Sequence, residues 1–244
     1  MSNFENAGSP GPISPQQRRT LGFLETALVS LITYGLYALT SGFVSAMLGI
    51  PDDATTLSPV QFQWHGAAYI IACPLTIAVL WIAIRIARGD FVEYLALNWP
   101  NAGELLRALS ITAILLMIVS TAGSVFGVGE ISADPYVRAT MASGFLIFLI
   151  GGCIATPIME EFVLRGFMFR GWSQSFLGPV GSIVLTSVLW GLMHTQYDWF
   201  GRFSIFLMGL ALGHFRWRSN STWLPVMVHS AVNTYSFLTM PLHV

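Results

Sequence analysis

The chain contains no lysine, and charged side chains of every kind make up only 9% of its 244 residues. An ordinary soluble protein carries about 25%, so this chain cannot cover itself with groups that water solvates. A soluble globular fold is excluded. The eleven basic residues are all arginine, and the formal net charge is −1. That balance lacks the basic face that nucleic-acid binding demands, and no nucleic-acid partner is expected. Cysteine is nearly absent. Cys73 and Cys153 fall inside separate apolar runs, too few for a disulfide framework or a cysteine metal site, and both read as small core residues.

What the chain has instead is apolar length. It is 54% hydrophobic, with a mean hydropathy of +0.66. Apolar runs recur at 24–50, 66–87, 105–128, 144–172, 180–194, 203–215 and 222–241. A membrane-spanning helix needs about 20 residues. The pattern predicts an all-α fold: a polytopic transmembrane helix bundle of about seven spans. Arg18, Arg19, Arg85, Arg88, Arg107, Arg170, Arg216 and Arg218 flank one set of span ends, and Arg138 and Arg202 the other. The positive-inside rule then puts the N-terminus in the cytoplasm. Residues 1–20 are rich in Pro, Gly, Ser and Asn and read as a disordered cytoplasmic tail. Residues 21–140 hold the N-terminal transmembrane helices, with an interfacial segment at 91–106, and residues 141–240 form a separate core. No cleavable signal is expected, and no internal repeat is visible.

The fourth run breaks its own pattern. Within IATPIMEEFVLRGFMFRGW lie Glu160, Glu161 and Arg165. A charge at a helix centre in lipid costs roughly 2.5–3.5 kcal/mol on insertion scales. Glu161 and Arg165 are four apart, share a face and can pair. Glu160 points about 100° away and is left over, and an unpartnered buried carboxylate takes up a proton unless something holds it. Gly151, Gly152 and Pro157 predict a bend just before the acidic pair.

Two later runs carry histidine. The fifth ends WGLMH, with His194 late in the helix, and the seventh reads HSAVN, with His229 and Asn233 on one face. At about 1.5 Å per residue, Glu160 lies roughly 18 Å from the far end of its run. His194 lies roughly 21 Å and His229 roughly 10 Å from the starts of theirs. Antiparallel spans bring the three to one layer of the bilayer. Packing residues acting separately would have no reason to share it. His65, His214 and His243 read as interfacial, and Asp198 with Trp199 as a loop after His194.

EEFVLR at 160–165 fits EExxxR, HSAVN at 229–233 fits HxxxN, and WGLMH at 190–194 fits FxxxH with Trp190 in place of Phe. On these motifs the chain resembles the CPBP family of intramembrane proteases, which includes type II CAAX prenyl endopeptidases and bacteriocin-processing or immunity proteins. The resemblance covers about 144–238; the first three runs match nothing diagnostic. It implies that Glu160 and His194 activate a water, that His229 and Asn233 stabilise the oxyanion, and that Glu161 and Arg165 support them. The Trp190 exchange reads as a change of packing more than of chemistry.

The residues leave the metal question open. Glu160, His194 and His229 would make a His₂–carboxylate site for a divalent metal such as zinc, but that use removes Glu160 as a free base, and no HExxH occurs. A metal-free reaction needs only a base for water and donors for the oxyanion. The expected partners are a peptide or membrane-protein substrate and the lipid bilayer, in a bacterial inner membrane. Two alternatives compete: a non-catalytic relative that holds a partner, and an ion- or proton-coupled transporter. The missing repeat symmetry speaks against the transporter.

Overall fold

Every element among the described residues is a helix. The computed structural model describes residues 20–48, 59–128, 145–195 and 197–239. Helix α1 is Phe23–Met47, α2 is Pro59–Ile86, α3 is Phe91–Leu95 and α4 is Ala102–Phe126. Helix α5 covers 145–173 as one rod that alternates α-helical and π-helical turns, the latter at Gly151–Ala155 and Phe162–Met168. Helices α6 (Gly178–Met193), α7 (Trp199–Ser219) and α8 (Trp223–Thr239) complete the chain. The expected tail at 1–20 lies, apart from Thr20, outside the described residues. So do Arg18, Arg19 and Arg138, the boundary at 140/141, His243 and the side chain of His65.

Each of the seven apolar runs contributes a helix. Three segments, Phe23–Met47, Gly66–Ile86 and Ala102–Phe126, are long and apolar enough to cross a membrane, and α6 is apolar but shorter. Helix α7 is longer than the run that announced it, because Asp198 caps it by accepting the Gly201 N–H at 2.7 Å. Asp198, read from the sequence as part of a loop, is therefore a helix cap.

Helix α1 shows how the bundle meets lipid. It buries Thr26, Ser30 and Thr33 and exposes Leu24, Leu28, Leu31, Ile32 and Leu39. In water this arrangement would be inside out. In a bilayer the small polar residues let helices approach, and large apolar ones face lipid. The hydroxyls cost little, because Ser30 and Thr33 donate to the Thr26 and Val29 carbonyls of their own helix at 2.8 and 2.6 Å.

Helix α5 runs through the middle, touching α1, α2, α3, α6, α7 and α8. Its sequence explains the first π-helical stretch. The N–H of Thr156 reaches back five residues to the Gly151 carbonyl, which Thr156 Oγ1 also contacts at 3.0 Å. In that register Gly152 would serve residue 157, but Pro157 has no N–H to give. The predicted disturbance before the acidic pair is thus a change of helical register. At the same level α2 and α5 touch backbone to backbone, with Gly66 against Gly151, where any Cβ on Gly151 would collide with the Gly66 carbonyl.

Candidate active site

Glu161 and Arg165 pair as the spacing requires, Nη1 to Oε1 at 3.0 Å, and both are 0% exposed. The pair is not closed on itself. The same Glu161 oxygen accepts from His229 Nδ1 at 2.9 Å, so one carboxylate joins α5 to α8. Glu161 is therefore committed to Arg165 and His229 together. Arg165 extends its other arm to the Gly209 carbonyl on α7 at 3.3 Å. Gly209 is required there: a Cβ would fall 2.8 Å from Ser187 Cβ and 3.1 Å from Arg165 Nη2.

Glu160, left over in the sequence, has a partner after all. Trp190 Nε1 donates to its Oε2 at 2.7 Å. The exchange of Phe for Trp at this position is a change of chemistry, because phenylalanine has no N–H to offer. Trp190 is 3% exposed. Its ring has the Arg165 guanidinium at 4.6 Å over its face and the imidazoles of His229 and His194 edge-on at 5.1 and 5.4 Å. Glu160, His194, His229 and the Glu161–Arg165 pair thus surround one indole.

The hydrogen bonds set the imidazole tautomers. His194 Nδ1 lies 2.8 Å from the Trp190 carbonyl, which can only accept, so Nδ1 carries the proton and Nε2 keeps a lone pair. His194 is half-buried at the C-terminal end of α6. His229 likewise gives its Nδ1 proton to the Glu161 carboxylate.

Asn233 behaves differently from the other three. Its Nδ2 donates to the Gly152 carbonyl at 3.0 Å, the acceptor that Pro157 leaves unserved. One amide hydrogen of Asn233 therefore fastens α8 to the π-helical turn, two turns up α5 from Glu160. Among the described residues no three His, Cys, Asp or Glu side chains converge as a metal-ligand set. Glu160, His194 and His229 are among those not gathered into such a set, so the residues as placed do not fit the zinc arrangement.

Sequence reasoning missed two features. The motif alone reads the Trp190 exchange as a change of packing; a lone N–H donor in an apolar helix, with an unpaired acid elsewhere, is the signal for its bond to Glu160. The first two helices also reach the site. Tyr34 on α1 and Tyr69 on α2 lie within electrostatic reach of Glu160, and the Tyr34 hydroxyl is buried without a hydrogen-bond partner. Tyr37 meets Thr156 at 3.5 Å and stacks on Tyr69 with centroids 6.1 Å apart.

Residues 142–235 match a family model described as type II CAAX prenyl endopeptidase Rce1-like. No curated protein and no solved structure gives a significant match.

Proposed function

Because residues 142–235 match the Rce1-like type II CAAX prenyl endopeptidase family model, we propose that Glu160, His194, His229 and Asn233 form a peptide-hydrolysing centre. The observation that carries this reading is the grouping of Glu160, His194 and His229 around Trp190, each with a polar atom that no other described residue engages. These atoms are Oε1 of Glu160 and Nε2 of both histidines.

Water is activated by Glu160, whose Oε2 is held by the indole N–H and whose Oε1 takes the proton. His194 Nε2 is the second acceptor that orients the water. Hydroxide adds to the peptide carbonyl, and the oxyanion is met by His229, which donates from Nε2 as an imidazolium backed by Glu161. The second amide hydrogen of Asn233 assists. The proton on Glu160 then passes to the leaving nitrogen as the C–N bond breaks. No step requires a group that the chain itself lacks.

The chain crosses the bilayer seven times with its N-terminus in the cytoplasm, and its substrate is a peptide or membrane protein of a bacterial inner membrane. Cleavage assays on full-length protein in lipid test the reading. Glu160→Gln and His194→Ala should abolish cleavage while insertion and melting temperature are preserved; normal cleavage by Glu160→Gln ends the proposal. A second reading, a non-catalytic relative that holds a partner, draws support from the engaged Asn233 amide and His229 Nδ1. It requires Glu160→Gln to keep full biological activity.

A further inference from the structure

We propose that Arg170 and Arg216 form a binding site for the phosphate of an anionic phospholipid, at the end of the bundle away from α6's His194. Arg216, in the last turn of α7, is 3% exposed. Its guanidinium carbon sits 5.3 Å over the ring of Phe169, the residue that precedes Arg170 on α5. Arg170 is half-buried and within electrostatic reach of Arg216. The two positive charges therefore meet in a partly dry corner.

Among the described residues no carboxylate is seen in ion-pair contact with either; the pairs of Glu161 with Arg165 and with His229 lie at the candidate active site. Arg216 Nη1 finds only the side-chain oxygen of Asn220, at 3.2 Å. The Nε atoms of Arg170 and of Arg216 are both buried with no hydrogen-bond partner. Glu25, an acid at this end, accepts the Gly22 N–H at 2.9 Å as a helix cap. Arg165, five residues before Arg170 on the same helix, shows what a neutralised buried arginine looks like here: a carboxylate, a carbonyl and an aromatic face. Two partly desolvated like charges that no carboxylate contacts among the described residues are costly unless an anion bridges them, and guanidinium forks suit a phosphate.

The surroundings select a lipid phosphate over a soluble one. Trp99 and Trp223 stack at 5.1 Å; Asn98, next to Trp99, donates to the carbonyl of Asn220 at 2.8 Å, the residue that Arg216 contacts, and α3 is pinned to the start of α8 by the Thr222 N–H on the Ala96 carbonyl at 2.9 Å. Trp217 is exposed next to Arg216, and Arg218 follows it. Exposed tryptophans and arginines together mark headgroup depth.

The test uses the full chain in phosphatidylcholine nanodiscs with and without phosphatidylglycerol. Native mass spectrometry reads retained lipid, and a melting curve reads stability. Wild type should retain phosphatidylglycerol and melt higher in its presence. Arg170→Gln should lose about fivefold of that retention, one surface arginine's share of attraction to anionic lipid, while melting unchanged in pure phosphatidylcholine. Arg170→Lys should keep part of it. Equal retention by wild type and Arg170→Gln overturns the proposal, and so does displacement of the lipid by inorganic phosphate. If Arg216→Gln fails to fold, Arg170→Gln still decides. Because lipid retention is read without any cleavage, this result stands apart from the peptidase reading.

Discussion

Arg165→Ala isolates the energetics of the centre most cleanly. The substitution removes the Nη1 bond to Glu161 at 3.0 Å, the Nη2 bond to the Gly209 carbonyl at 3.3 Å and the cation stacked 4.6 Å from Trp190. Glu161 is 0% exposed and keeps only His229. Breaking a buried pair by deleting one partner costs about 3–5 kcal/mol, because the survivor's charge is stranded. The lost stacking adds on the order of 2 kcal/mol where the contact is dry, although the two losses overlap. Against a total stability of roughly 5–15 kcal/mol, that is a large share. Reversible unfolding in mixed micelles is the assay. Removing both charges together, in Glu161→Gln with Arg165→Met, should cost much less than Arg165→Ala, since the amide oxygen can still accept from His229 and no bare charge remains. A loss under about 1 kcal/mol for Arg165→Ala, the size of a surface pair, would refute the reasoning. So would a double variant as unstable as the sum of its parts.

Trp190→Phe keeps the ring between Arg165 and the two histidines but removes the N–H on Glu160. Trp190 acts as a positioning residue, so kcat should fall about ten- to a hundredfold, the worth of one hydrogen bond to a charged group, with KM little changed. Unaltered kcat beside an inactive Glu160→Gln would dismiss that role. Asn233→Ala should lower stability by about 1–3 kcal/mol by stranding the Gly152 carbonyl, measured by the same unfolding assay; a fall in cleavage well beyond this loss would show the second amide hydrogen at work. Gly209→Ala should cost about 1–3 kcal/mol as α6 and α7 are forced apart and should loosen Arg165, visible as a lower melting temperature.

Composition and periodicity carried the reading a long way. Nine per cent charge leaves no route to a water-covered surface, and the apolar runs became helices because a chain in lipid must satisfy its backbone internally. The Glu161–Arg165 pair was legible because helical spacing places residues four apart on one face. Partners across helices were not. The rotation of α6 against α5 delivers the Trp190 N–H to Glu160, and the approach of α8 lets one Glu161 oxygen serve both Arg165 and His229. The missing N–H of Pro157 could be read from the sequence, but the amide that replaces it, Asn233, lies 76 positions away and reaches Gly152 only once α8 has docked. Spacing along one rod is set by local geometry, whereas contacts between rods depend on how glycines such as Gly151 and Gly209 let them close. The sequence by itself therefore determined the membrane class, the helices and the polar residues they carry. Tertiary packing alone decided which of those residues share hydrogen bonds.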